Sequence, residues 1–355
     1  MNKKVMTEDT KSSLEKLKDR LIKIYLRKTP PKTAPYLKLL DDINSILLGE
    51  DKTIRPYNDM NIPGGIIYLK RDIPTIIVPD IHARIDFFIN IMFHKINGLA
   101  IIDRLANNSI QVVCVGDAFH AESRAYDRWQ AAFEEFQDDY ESHENIDNEM
   151  RESLGAMEMV IEVKKAFKNN FHFLKGNHEN IANENGDGNF PFRKFAYEGP
   201  MVLSYIEKFY GEEFLSAFYI YEKNLPLFVI GRNFLISHAE PEHFFEKKEI
   251  INYRDNPEVV QGLTWTDNNQ AKKNSVAKML DAYLDEGAAS GNYYFGGHRP
   301  VKNLYDSRAA GHYIQIHNPG KFIIGHIKET GPINLDRDII ELKDRTREII
   351  NTFSS

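Results

Sequence analysis

The chain has 355 residues, 42% hydrophobic and 12% aromatic, so it should fold as a globule with a sizeable core. Its 45 basic and 52 acidic side chains give a formal charge of −7 with no basic block, which argues against a nucleic-acid-binding surface. A single cysteine, Cys114, excludes an intramolecular disulfide framework and a thiolate zinc cluster, and a reducing, cytoplasmic setting is expected.

The first stretch, "MNKKVMTEDTKSSLEKLKDR", is charged throughout and lacks the apolar core of a signal peptide. Nowhere do about 18 uncharged apolar residues run together, so no membrane association is expected. Leu14, Leu17, Leu21, Ile24 and Tyr25 fall at helical spacing, and residues 37–48 repeat the pattern after "TPPKTAP". Residues 1–60 therefore read as an N-terminal helical extension. From 61 the rhythm changes to short β-branched runs alternating with amphipathic segments, the mark of an α/β domain, expected over 61–345 with a short tail at 346–355.

Five apolar runs in that domain share one grammar. "PTIIVPDIH" (74–82), "IQVVCVGD" (110–117), "FHFLKGNHE" (171–179), "FLISHAE" (234–240) and "NYYFGGH" (292–298) read as strands that end in Asp, Asn or His, mostly beside Gly or Pro. The carboxyl ends of strands carry the binding loops of α/β folds, so these polar groups can meet at one edge. Ile85, Phe88, Ile89, Met92 and Ile96 predict a covering helix after the first run; Leu154, Met157, Val160, Ile161 and Phe167 predict one before the third. Between Asp117 and Asn177 an acidic helical insert, about 122–155, carries Trp129, Phe133, Phe136 and Tyr140 on one stripe, read as the packed side of a solvated helix.

Residues two apart on an extended segment point the same way, so Asp80 and His82 can grip one ion. By itself each element is ordinary: aspartate after Gly116 is a common turn, and a lone His238 or His298 is more often a satisfied core histidine. Their order, each at a strand end and together with Gly176, Asn177, His178 and Glu179, makes a set.

In that order "DIHAR", "VGD", "KGNHE", "ISHAE" and "GGH" resemble the successive blocks of the calcineurin-like metallophosphoesterase superfamily over roughly residues 74–300. "NLPLFVI" and "LTWTDNN", together with "GGHRP" in place of GHxH, lean toward its serine/threonine phosphoprotein phosphatase branch. The resemblance implies a four-layer α/β/β/α sandwich of two mixed sheets flanked by helices, with residues 61–345 as the catalytic domain. It also implies a binuclear metal centre: Asp80 and His82 on one ion, Asn177, His238 and His298 on the other, and Asp117 bridging. An O/N donor set without thiolate suits two divalent ions, Mn, Fe, Zn or Co. Such ions lower the pKa of water toward about 7, so a bridging hydroxide is the expected nucleophile, with His178 as the group that donates to phosphate or to the leaving alkoxide. Glu179 reads as a structural carboxylate at a helix start.

The chain departs from that pattern where GDxVDRG is replaced by "GDAFHAESR". His120 then stands where an aspartate would orient His178, leaving His120, Glu122 or a remote group for that task. The motif arginine is missing, so Arg84, Arg124 and Arg299 become the candidates for binding phosphate, with His120 nearby. His317 precedes "NPG" and reads as a hairpin residue, Cys114 as core and Trp265 as packing. The expected activity is phosphomonoester hydrolysis on a phosphoprotein. The alternatives are a nucleotide, dinucleoside polyphosphate or phosphodiester substrate at the same centre, or a non-enzymatic binding protein that works through its helical N-terminus and acidic insert.

Overall fold

The computed structural model describes residues 8–288 and 291–354. In chain order its strands are β1 (Ile66–Tyr68), β2 (Thr75–Val78), β3 (Lys95–Ile96), β4 (Leu99–Ala100), β5 (Gln111–Cys114), β6 (Phe171–Phe173) and β7 (Phe228–Ile230). There follow β8 (Phe234–Ser237), β9 (Tyr293–Gly296), β10 (Asp306–Arg308), β11 (Tyr313–Gln315), β12 (Ile323–Ile327) and β13 (Ile339–Glu341). One mixed sheet has the order β1-β7-β8-β9-β11-β10 and the other β13-β12-β2-β5-β6, while β3 and β4 form a separate small ribbon.

The alternation of side chains along each strand sets the layers. Ile76 and Val78 of β2, with Val112 and Cys114 of β5, face the helices, whereas Ile77, Val113 and Val115 point the other way. In the other sheet Ile66, Leu235, Tyr294 and Tyr313 face outward, and Ile67, Ile236, Phe295 and Ile314 face inward. The two inward faces meet in one dry core, as in sheet-on-sheet packing. Helices Ile85–Phe93 and Glu144–Ala166 cover one outer face; Pro257–Thr264 and Ser275–Tyr283 cover the other. The result is the α/β/β/α sandwich expected from the resemblance.

Strands β2, β5 and β6 run parallel to one another, as do β8, β9 and β11. The carboxyl ends of each trio therefore share an edge, which is where the polar run-ends collect.

Helices Glu8–Leu26 and Thr33–Leu48 pack into the same apolar cluster as the helices that cover one sheet, with Leu21, Leu40 and Ile43 fully buried. Tyr36 Oη donates to Leu154 O at 3.1 Å, and Arg27 pairs with Glu158 at 2.7 Å. Farther on, Glu50 takes Arg55 at 2.8 Å and Lys164 at 2.5 Å in a buried cluster. At the other end, helix Thr346–Ser354 lays Ile349, Ile350 and Phe353 on that cluster, and Phe353 meets Phe93 at 5.3 Å.

Two sequence expectations shift in register. The insert is two helices, Tyr126–Gln137 and Glu144–Ala166, and the apolar stripe breaks between them because Asp139 and Tyr140 adopt φ of 50° and 55°. Ile96 lies past the helix that ends at Phe93, in β3.

Because Leu40 is buried against the insert and neighbouring helices, Leu40→Ala is expected to destabilise the whole chain by about 2–5 kcal/mol. Denaturant unfolding followed by far-UV circular dichroism should show one shifted transition; a separate early transition for the N-terminal helices would contradict the shared core.

Candidate metal centre

Asp80 and His82 follow β2, Asp117 follows β5, Asn177 and His178 follow β6, His238 follows β8 and His298 follows β9, and all of them are buried. The structure brings them into one pocket. Asp117 Oδ2 lies 3.3 Å from His238 Nε2, 3.6 Å from His82 Nε2 and 4.0 Å from His178 Nε2. Asp80 Oδ2 is 3.8 Å from His82 Nε2, and Asn177 Oδ1 meets both His238 Nε2 and His298 Nδ1 at 2.9 Å. The other ring nitrogens of His82 and His238 face the carbonyls of His120, at 3.0 Å, and Val115, at 3.1 Å. Those backbone contacts aim both Nε2 atoms at the aspartates, the way a metal-binding imidazole is normally oriented.

The loops reach this density because glycines remove side chains where they cross. A Cβ at Gly176 would stand 2.1 Å from Asp117 Oδ1, and one at Gly297 would stand 1.7 Å from Asp80 Oδ1. Asp117 Oδ1 also accepts the His178 N–H and Asp80 Oδ2 the His298 N–H, each at 2.9 Å, so each carboxylate is held by a neighbouring loop. His82, Asp117 and His298 all have positive φ (44°, 51° and 64°), a sparsely populated conformation for such residues that collects where a site over-determines the backbone. Glu179 is structural, although no helix begins there. Its carboxylate accepts the N–H groups of Asp117 (2.8 Å), Ala118 (2.9 Å) and Gly176 (2.7 Å), tying the β5 loop to the β6 loop.

Charge in the pocket follows from burial against partners. Burial favours the neutral acid at Asp117, but His238 and His178 hold it well below the usual carboxylate range. For His238 burial pulls the other way, and the Asp117 carboxylate outweighs it, raising the imidazole to about 9. Burial keeps His178 and His298 well below their ordinary value, and lowers His82. Asp80 Oδ1, His298 Nε2 and His178 Nδ1 are buried without a hydrogen-bond partner. Asp80, Asp117 and His238 also present one atom each within 4.8 Å of the others. Buried carboxylate, amide and imidazole donors facing one another with unpartnered atoms are the donor set a hard or borderline divalent cation takes.

The group that orients His178 is a ring. His120 stacks on His178 with centroids 4.7 Å apart and planes at 19°, and on its far side Trp129 stacks on His120 at 4.8 Å and 26°. Trp129 Nε1 donates to Ala121 O at 2.8 Å, which locks the insert helix to the β5 loop. His120 is fully buried in this sandwich, so it is a platform and not the substrate contact expected from the sequence.

The three candidate arginines all have protein partners. Arg84 is buried and donates to five carbonyls, those of Asp80, Ile81, Asn318, Pro319 and Lys321, so it clamps a loop beside the cleft that it lines together with Arg124. Arg124 pairs with Glu152 at 2.8 Å and donates to Ala83 O at 3.0 Å. Arg299 pairs with Asp267 at 2.7 Å.

The sequence expectation misplaces His317 and gives Glu122 no part in the candidate donor set. Strands β11 and β12 belong to different sheets, so "NPG" crosses between sheets and His317 is a strand-end residue like the others, not a hairpin residue. It is fully buried beside His82, with ring centroids 5.1 Å apart. Glu122 Oε2 lies 3.0 Å from His317 Nε2, and Glu122 Oε1 is 3.8 Å from His82 Nε2 and paired with Lys194. Burial would keep the Glu122 carboxyl neutral, but His82, His317 and Lys194 hold it well below the usual range. The run "YIQIH" repeats the strand-then-histidine grammar, and that signal could have found His317.

Because His238 is raised from an unfolded value near 6.5, its pairing with Asp117 stabilises the metal-free protein fully below about pH 6.5 and is lost as pH rises through about 9. At pH 7 that imidazole carries a proton that a metal ion bound there would have to displace. Calorimetric Mn²⁺ titration in buffers of different ionisation enthalpy should show proton release at pH 7 that fades above pH 9; release independent of pH would contradict the charged pair.

No protein-family profile matches the sequence, and no curated protein matches it. Among solved structures the chain is similar to a protein serine/threonine phosphatase from Saccharomyces cerevisiae that is itself described as similar to human phosphatase PP5. That likeness has a TM-score of 0.54 at 13% identity, over 88% of this chain and 89% of the other. A cold-active protein-tyrosine phosphatase of a psychrophilic Shewanella aligns at TM-score 0.41 and 12% identity, over 79% of this chain and 82% of that one, which is too distant to add to it. At such identities the shared property is the fold, a phosphatase-type α/β sandwich.

Proposed function

We propose that this chain is a metal-dependent phosphoester hydrolase that acts on phosphomonoesters of the phosphoprotein kind. The observation that carries this reading is Asp117 Oδ2, which has His82 Nε2 at 3.6 Å and His238 Nε2 at 3.3 Å, so one carboxylate oxygen serves two donor sets. Asp80, His82 and Asp117 would hold one divalent ion; Asp117, Asn177, His238 and His298 would hold the other. Two such ions would supply positive charge for a phosphoryl group and would acidify water toward neutral pH.

The chain's own residues position and donate. A cleft of about 400 Å³ lined by His82, Glu122, Ser123, Arg124 and Pro319 leads to the Asp80–His82 side. His178 follows Asn177, has its backbone N–H on Asp117 Oδ1 at 2.9 Å, and has its Nε2 4.0 Å from Asp117 Oδ2. Kept neutral by burial, that imidazole donates from one nitrogen to a phosphoryl or leaving-group oxygen, and the negative charge of a bound phosphoryl group in turn favours its protonated form. The Trp129–His120 stack limits the ring to one orientation.

With Mn²⁺ and p-nitrophenyl phosphate, His178→Ala is expected to keep its metal content and lose about 10²–10⁴-fold in kcat. Asp117→Asn should lose metal as well as activity. Elemental analysis beside the assay checks both, and metal loss in His178→Ala would overturn the division between ligand and donor. A phosphopeptide and a dinucleoside polyphosphate run in parallel decide the substrate: cleavage of the latter to its nucleotides, with no phosphate released from the phosphopeptide, would overturn the phosphoprotein assignment.

A further inference from the structure

We propose that His317 is a further protein ligand of the ion held by Asp80, His82 and Asp117, with Glu122 fixing its tautomer and Lys194 anchoring Glu122. The proposal rests on the two-ion reading above and adds to it a residue from the far end of the catalytic domain.

A carboxylate only accepts, so the 3.0 Å contact between His317 Nε2 and Glu122 Oε2 makes Nε2 the protonated nitrogen. In the neutral ring, the form that binds a metal, Nδ1 is then the lone-pair nitrogen. It is buried, has no hydrogen-bond partner and looks at Asp80 Oδ2 from 3.8 Å. Two acceptors facing each other away from water are unfavourable unless a cation lies between them. Asp80, His82 and His317 present one ligand atom each, all within 4.8 Å of one another, and all three residues are buried. Ligands at 2.0–2.2 Å from a common ion stand about 3.0–3.5 Å apart, so only a slight closure of this trio is required.

Glu122 supports the same assignment from behind. A metal-binding imidazole commonly donates its other N–H to a carboxylate, which fixes the ring and strengthens it as a donor. Glu122 does this for His317 while its other oxygen pairs with Lys194, on the segment leading into helix Glu198–Phe209. With His317 included, the ion held by Asp80 and His82 has four protein ligands, as the ion held by Asn177, His238 and His298 does with Asp117.

The test is Co²⁺ uptake by the metal-free full chain, read by elemental analysis, by competition with a chelator and by visible absorption, on wild type, His317→Ala, His317→Gln and Glu122→Gln. Wild type should bind two ions. Both His317 variants should bind one of them at least 10–100-fold more weakly, with a changed visible spectrum, and Glu122→Gln should show a smaller weakening of that same ion. Thermal unfolding of the metal-free forms controls for misfolding, and His317→Gln, which keeps a polar side chain in the cavity, decides if His317→Ala fails to fold. Two ions bound at wild-type affinity with an unchanged spectrum in His317→Gln would overturn the proposal, and fewer than two in wild type would overturn both it and the two-ion reading. Two ions in wild type, one weakened in the His317 variants, and no phosphoester hydrolysis would uphold the ligand and overturn the proposed activity.

Discussion

The pocket depends on one buried carboxylate. Glu179 accepts three backbone N–H groups, from Asp117, Ala118 and Gly176, and thereby joins the loops that leave two adjacent parallel strands. Without that acceptor three buried donors would lack partners, each at a cost of about 1–3 kcal/mol, and the loops would have no reason to touch. Glycine at 176 makes the contact sterically possible, since any side chain there would overlap Asp117.

Backbone geometry and ligand geometry are thus the same problem in this fold. Each carboxylate is held by an N–H from the next loop, and each oriented imidazole rests on a carbonyl from another. Positive φ at three of the site residues is tolerated because those crossing hydrogen bonds, together with the sandwich core beneath, leave no alternative path for the chain. The cost is concentrated at the candidate site, and the apolar core between the sheets offsets it.

The insert that looked like a surface elaboration reaches the centre. Trp129 stands on the packed side of its helix, as its stripe predicts, but its neighbour is His120, and through His120 it meets His178. An aromatic stack restricts the tilt of a ring without fixing its tautomer, unlike a hydrogen-bonded carboxylate. The nearest carboxylate oxygen to His120 Nε2 among the described pairs, on Glu198, is 3.8 Å away, beyond hydrogen-bond reach.

The layers and the places of the candidate ligands along the chain are legible in the sequence. Unbroken apolar runs such as "TIIV" and "QVVC" mark strands buried on both faces, and a polar residue just past such a run stands at a strand end. Six residues, Asp80, His82, Asp117, Asn177, His238 and His298, were legible in this way because each lies within a few residues of its strand. The tertiary structure alone decided where the arginines point, what steadies His178, and that His317 returns beside His82. Those facts rest on contacts between segments far apart in sequence: Arg84 with the 318–321 loop, Trp129 with His120 over the β5 loop, His317 with Glu122. Local pattern carries information about periodicity and chain direction; which distant loop fills the space above a strand end is settled only when both sheets pack and their edges meet.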